Sequence, residues 1–218
     1  MQRYIIMGGI GNGSVIASAI KDANSRGEEV EFVGYLNDRK TAGDEIEGDE
    51  VLGSLDQARD FLDEDTKLIN AILRIDGNRA RVGIIEELGL SKADFGTFVH
   101  PSCYVPADVK ISEGCVIMPN VLISPGVSIG PYSLVMVGAS IGHNTTIDDF
   151  VHIAAQAVIG SHVRIKTGVH IGLNSTIREK IEIDEFSTLG MGSVLTKDIA
   201  ANEIWVGVPA KLLRMVEQ

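Results

Sequence analysis

The chain is poor in aromatic residues and in positive charge. Aromatics make up 5% of its 218 residues, with a single Trp. A sandwich built on large rings is therefore excluded, and a core of repeated small and β-branched layers is expected. Lys and Arg number 19 against 30 Asp and Glu, for a net charge of −11. That balance excludes a general nucleic-acid binder, which neutralises phosphates with a basic footprint. A small anionic ligand needs only a few local cations or a helix N-terminus, and stays open. The two cysteines, Cys103 and Cys115, form no C-x-x-C pair, and no disulfide framework is predicted. The start reaches Gly8 and Gly9 after a very short apolar run, so neither a signal peptide nor a membrane span is expected. A cytoplasmic protein is the resulting expectation.

Ile, Val, Leu, Ala and Gly are plentiful, and they are ordered. From Val99 onward every sixth residue is a branched aliphatic (Val99, Val105, Ile111, Ile117 and onward to Leu195), seventeen positions without a slip. Four residues after each comes a small or β-branched side chain, such as Val121, Ala139, Thr145, Val163 or Ser187. Both cysteines fall at this place and read as core filler. Gly, Asn or Asp often takes the fourth place of the hexad, as at Asp108, Gly114, Asn120, Gly126, Gly138, Asn144, Gly168, Asn174 and Gly192. Those residues tolerate positive φ and suit corners. A period of six built from strand-forming residues predicts short strands and tight corners, stacked coil upon coil. The pattern resembles the hexapeptide-repeat family, in which three hexads make one triangular coil of a left-handed parallel β-helix. On that resemblance residues 99–200 form nearly six coils, and residues eighteen apart stack in columns.

The front half reads differently. A strand over residues 3–7 runs into Gly8-Gly9-Ile10-Gly11-Asn12-Gly13, followed by a helix over residues 14–25. A second strand over 30–36 ends at Asn37-Asp38, and an acidic loop covers 43–50. A helix opens at Ser54 with Gln57 as its capping-box partner. A third strand over 67–73 precedes a helix over 78–88. Alternating β and α units imply a small parallel, Rossmann-like sheet. The chain is thus read as an α/β domain over 1–95 and a left-handed β-helix domain over 96–218.

Two sets of residues could carry chemistry. Glycines after the first strand let a backbone approach a phosphate, which the next helix faces with its N–H groups. The spacing only approximates G-x-G-x-x-G, with Ser14 in the last place, so a ligand loop and a plain tight turn both remain open. Asp38 is the one acid near the end of the second strand that could meet a ribose. Among the histidines, His143 occupies a corner position, while His152 and His170 share a column with Leu134 and Thr188. The last four histidines are separated by nine, ten and eight residues. The H-x4-H spacing of zinc-binding hexapeptide proteins resembling gamma-class carbonic anhydrases is missing, and no metal is expected.

The whole arrangement resembles one subfamily, the acetyltransferases acting on sialic acid, on UDP-linked 4-amino sugars and on GDP-perosamine. The resemblance is carried by the segment 7–13, by Gly34-Tyr35-Leu36-Asn37-Asp38, and by His100-Pro101-Ser102. It is carried further by Gly142-His143, by Phe150-Val151-His152-Ile153-Ala154, and by Gly207-Val208-Pro209-Ala210-Lys211. It implies that Gly8, Gly9, Gly11, Asn12, Gly13, Asn37 and Asp38 bind a nucleotide-linked sugar. It implies a homotrimer with acetyl-CoA held between neighbouring coils, through His152, Ser161, Gly172, Gly190 and Lys211. His143 becomes the general base, assisted by Asn144, and His152 lies beside the acetyl group. Acyl transfer needs such a base and a donor for the tetrahedral oxyanion, and backbone N–H groups around Gly160-Ser161 are the expected donors. Asn144 stands where the family carries an acid, and Met136 where it carries an asparagine. An amine arriving as the free base needs less help than a hydroxyl, which favours N-acetylation. O-acetylation of a sugar or other small acceptor, and a non-catalytic nucleotide-binding β-helix protein, are the competing readings.

Overall fold

The computed structural model of the chain describes residues 1–73 and 78–216. Strand β1 (Gln2–Met7) lies between β2 (Val30–Leu36) and β5 (Thr66–Asn70), both parallel to it. Helix α1 (Asn12–Ser25) buries Ile16, Ala17, Ala19, Ile20 and Ala23. The acidic stretch read as a loop is instead a hairpin, β3 (Glu45–Ile46) with β4 (Asp49–Gly53), which extends the sheet beside β2. Its carboxylates masked the strands, but Ile46 and Val51 are buried while Glu47 and Gly48 turn the chain at φ 51° and 87°. Such a turn, with both central residues at positive φ, matches the twist of a hairpin. The expected capping box at Ser54 forms with Gln57, on a 3₁₀ helix over Leu55–Phe61. The strand expected over 67–73 stops at Asn70, and α2 (Asn78–Glu87) follows.

From Phe98 the chain winds into two-residue strands on three parallel sheets. Residues eighteen apart pair, so Leu134, His152, His170 and Thr188 form one ladder. The every-sixth aliphatics from Val105 to Leu195 point inward with the small residues between them, while Val99, first of the series, is exposed; Cys115 is buried in that core and both cysteines are free thiols. Every sixth position from Gly114 to Gly192 has a positive φ, including Tyr132, Phe150, Gln156, His162, Lys180 and Phe186. A left-handed conformation costs a residue with a Cβ about 1–2 kcal/mol. The coil recovers that cost by turning each N–H onto the coil before it, as in Lys180 N–H to Ser161 O and Phe186 N–H to Thr167 O, both 2.9 Å. Asp108, expected at such a corner, has an ordinary φ; its carboxylate accepts the Gly126 N–H instead.

The three faces differ in what covers them. Two five-stranded sheets turn side chains such as Leu122, Val158 and Arg164 outward and exposed. The eight-stranded sheet is covered by the front of the chain: Val116, Met118, Leu134 and Met136 share one core with Tyr4, Ile6, Ile69 and Phe98. Arg81 of α2 is fully buried there, and its guanidinium donates to Tyr132 O (2.6 Å) and Phe150 O (3.0 Å). Helix α1 is tied to the same sheet through Asp22, whose carboxylate lies 2.9 Å from His100 Nε2. Strands Glu203–Gly207 and Ala210–Met215 close the far end as an antiparallel pair, so the last parallel edge is not left open.

Candidate active site

His143 lies at the corner between the two uncovered sheets, after the strand Ser140–Ile141. Gly142 must be glycine there, because a Cβ would come 2.5 Å from the Gly160 carbonyl carbon of the next coil. The exposed His143 ring is held by Asn144, whose Oδ1 lies 2.8 Å from Nδ1. An amide oxygen only accepts, so the bond is completed by a proton on Nδ1, and Nε2 keeps its lone pair. Asn144 adopts φ 59°, which swings its side chain back toward its neighbour. His162 stands edge-on to His143, with ring centroids 5.0 Å apart. The sequence held the signal for it: His162 lies eighteen residues after Asn144 and so shares its column.

One coil on, Gly160 is no oxyanion donor, since its N–H is already bonded to Ile177 O at 2.9 Å. The ladder needs that bond, and only Ser161 of the expected pair stays in play. Gly172 and Gly190 stack on the next corner, where a Cβ on Gly172 would fall 2.5 Å from Met191 N and one on Gly190 2.7 Å from Val206. Close coil contact explains both glycines. Lys211 is exposed on the last strand.

His152 is on the opposite side of the coil from His143, because its sheet is the covered one. Within one chain the two histidines are not brought together. His152 is 4% exposed and His170 6%. Their rings lie parallel within 5°, with Nδ1 atoms 2.9 Å apart, and His152 Nε2 is buried without a partner. Burial, then His170, then the Arg81 guanidinium hold the His152 imidazole well below its usual pKa.

The glycine loop caps the other candidate region, at the C-terminal ends of β1, β2 and β5. Gly8 and Gly11 have φ 139° and 98°, and α1 begins with no side-chain cap and no acid in its first turn. The first N–H groups of the helix therefore have no side-chain acceptor, with the positive end of the dipole behind them. Asn12 and Gly13 provide those groups. Asn37 Nδ2 donates to Gly8 O at 2.8 Å and fills the space a Cβ on Gly9 would need. Asp38 is turned elsewhere: one carboxylate oxygen accepts the Leu55 N–H at the start of the 3₁₀ helix. Two residues that sequence reasoning missed flank the loop. Tyr35 OH and Asn70 Nδ2 are buried without partners, and burial followed by Asp49 and Glu47 pushes the Tyr35 hydroxyl up to about 12. Beside them a groove of about 550 Å³ runs between α1 and the coil corner, lined by Ser14, Ser18, Asp22, Glu47, Met118 and Val137. Met136 is buried in the shared core, adjoining that lining.

Among the described residues no helix is long and apolar enough to cross a membrane, and no three His, Cys, Asp or Glu are grouped to hold a metal ion.

A small parallel sheet with a glycine loop is thus seated on a β-helix of hexads. Residues 138–173 match the family described as bacterial transferase hexapeptide (six repeats). The acetyltransferase domain of PglB from Neisseria gonorrhoeae FA1090, solved with acetyl coenzyme A, superposes with a TM-score of 0.83 at 26% identity, over 97% of this chain and 99% of that one. A histidine-to-asparagine mutant of perosamine N-acetyltransferase from Caulobacter crescentus, with CoA and GDP-perosamine, gives 0.83 at 21% identity over 98% of each. WeeI from Acinetobacter baumannii AYE gives 0.81 at 21%, over 98% of this chain and 100% of that one; the matches at 21% share the fold. No curated protein matches. Residues 138–173 thus match a transferase hexapeptide repeat, and nearly the whole chain is similar in fold to the acetyltransferase domain of PglB.

Proposed function

We propose that the protein transfers an acetyl group from acetyl-CoA to an amino group of a nucleotide-linked sugar. The observation that carries this is the His143–Asn144 pair, which leaves Nε2 of an exposed imidazole bare and oriented. The acceptor nitrogen attacks the acetyl carbonyl carbon, and its proton passes to His143 Nε2. The carbonyl π electrons move to oxygen, where the Ser161 N–H is the nearby donor. Collapse breaks the C–S bond and releases the CoA thiolate, which recovers the proton. Asn144 is neutral, so it orients the ring without adding charge, a setting suited to an amine that arrives unprotonated. The neighbours bound to acetyl-CoA, and to CoA with GDP-perosamine, support the same substrates here.

In this reading residues 1–95 are the nucleotide-sugar domain, and the phosphates lie on the N–H groups of Gly11, Asn12 and Gly13. Residues 96–218 hold acetyl-CoA against the coils, with Ser161, Gly172, Gly190 and Lys211 along its path. The groove beside α1 opens on the covered face, whereas His143 is at the far corner. One copy's base would therefore serve the next copy's acceptor, and exposed Leu122 and Val158 on an uncovered face would be buried between copies. A cyclic homotrimer meets both needs, whereas His152, buried beneath its own chain, is not among the groups it exposes to acetyl-CoA. The test is a thermal-shift screen of acetyl-CoA with UDP- and GDP-linked amino sugars, followed by mass spectrometry of the product. A tight ligand raises Tm by mass action. Acetylation of the free hydroxy analogue in preference to the amine would overturn the amine reading.

A further inference from the structure

Ser14, Ser18 and Asp22 are spaced by four along α1 and share the face that lines the groove of about 550 Å³. The coil supplies the opposite wall with Met118 and Val137. At 1.5 Å per residue the stripe is about 12 Å long, and it ends on a carboxylate held by one oxygen. Arg26 Nε donates to Asp22 Oδ2 at 2.7 Å, and His100 Nε2 lies 2.9 Å from that same oxygen. Among the described residues nothing bonds Oδ1. The clamp is anchored in the coil. His100 is 1% exposed, and its Nδ1 accepts the Ser102 N–H at 3.2 Å. The ring proton is therefore on Nε2 and donates to Asp22. Ser102 is fixed in turn, because its Oγ accepts the Asn120 N–H at 2.9 Å.

We propose that Asp22 is a specificity-determining residue for the acceptor: with Oδ2 clamped by Arg26 and His100, Oδ1 accepts a hydrogen bond from a ring hydroxyl of the sugar. This rests on the reading that the groove receives a nucleotide-linked amino sugar. The reacting group is on the sugar and the acetyl donor is on the coils, so a groove walled by coil residues takes the sugar rather than the base. The Arg26 bond, opposed by some desolvation and helped by His100, holds the Asp22 carboxyl below its usual pKa. An ionised carboxylate only accepts hydrogen bonds, which excludes the phosphates as its partner. It would also hold the amine as an ammonium, which has no lone pair for attack, so the amine must point elsewhere. The ring hydroxyls remain. Glu47, the other acid of the groove, is exposed on a turn and would lose side-chain freedom on binding. Asp22 is already oriented, and a preorganised acceptor binds more tightly.

The test is isothermal titration calorimetry on the full chain. The probes are GDP-perosamine and a UDP-linked 4-amino sugar, with GDP and UDP as controls, and the monodeoxy forms of the sugar that binds. The wild type should bind the sugar nucleotide more tightly than its bare nucleotide. One deoxy form should bind about 10–100-fold more weakly, as the loss of a hydrogen bond to a charged group would give. In Asp22→Asn the two clamping donors take the amide oxygen, and the charged acceptor is gone. Its affinity for the parent sugar should fall about tenfold, with no further loss for that deoxy form and unchanged binding of acetyl-CoA, GDP and UDP. If every deoxy form binds like its parent, or if Asp22→Asn binds the parent sugar undiminished, the proposal falls while the reading of the groove stands. An equal loss for the bare nucleotide would show only a tie between helix and coil, and also overturns it. If neither sugar nucleotide binds better than its nucleotide, both readings fall. Should Asp22→Asn fail to fold, Asp22→Glu, whose carboxylate is one methylene out of place, decides by the same comparison.

Discussion

Replacing Asn144 with Asp isolates what the corner amide does for His143. In the structure the Asn144 oxygen lies 2.8 Å from Nδ1, and an Asp oxygen would occupy the same place. Asp tolerates the left-handed φ of 59° nearly as well as Asn, so the fold should not suffer. The new charge is solvent-exposed, and at about 4 Å in water it attracts an imidazolium by about 1 kcal/mol. That corresponds to roughly 0.7 pH unit at 1.36 kcal/mol per unit. The carboxylate favours the protonated ring, and a base works only when deprotonated. The acid limb of kcat/KM should therefore move up by about 0.7 pH unit, with kcat on the plateau changed only a few-fold. Its companion, His143→Ala, should lower kcat by about 10²–10⁴, or about 2.7–5.4 kcal/mol. Initial rates of thiol release across the acid limb, with acetyl-CoA binding checked by thermal shift, give both numbers. A loss below tenfold in His143→Ala, together with an unmoved limb in Asn144→Asp, would refute His143 as the base and leave positioning of the reactants as the main contribution.

Other outcomes follow from the same structure. Gly11→Val meets nothing in the chain but holds a β-branched residue at φ 98° in the phosphate path, so the acceptor KM should rise at least about tenfold, as a lost charged contact would give, while that for acetyl-CoA barely moves. Equal effects on both would indicate misfolding. Lys180→Gly relieves a left-handed corner at φ 60° and should stabilise by about 1 kcal/mol, or about 2–4 °C in Tm by calorimetry. Tyr4 and Tyr35 are pushed up to about 12 chiefly by burial. Their unfolded forms ionise first, so the stability they contribute is complete below about pH 10 and is lost as pH rises toward 12; urea midpoints on either side of that window should fall. Sedimentation at micromolar concentration should give a trimer, and a monomer would remove the shared site.

The β-helix was legible because its rule is local: an inward aliphatic every sixth residue cannot be moved without turning a strand inside out. The corners were legible only where glycine or asparagine marked them. Tyr132, Phe150, Gln156, His162, Lys180 and Phe186 adopt the same backbone with no propensity to announce it, because the coil hydrogen bonds impose it. The hairpin over Glu45–Gly53 was hidden by its outward carboxylates. His143 was found as a corner residue, and its Asn144 partner with it. The burial of His152 and His170 could not be read, since it depends on α2 and the otherwise ordinary-looking Arg81 settling over that face. The same reason hid Tyr35 and Asn70, whose isolation exists only after three strands meet.

The stacking rule also dictates which insertions and deletions this chain could survive. Removing eighteen residues from the middle of the coil takes out one rung and leaves every later side chain on its own face. Removing six preserves the inward aliphatics, and by hydropathy alone the product would look sound. Yet everything downstream would rotate by one face: if the cut fell between them, His170 would leave the side of His152, and the layer now beneath α2 would be turned to water. Length variation in this architecture is therefore quantised in whole turns, and a relative differing by a single hexad should have rebuilt its docking surface.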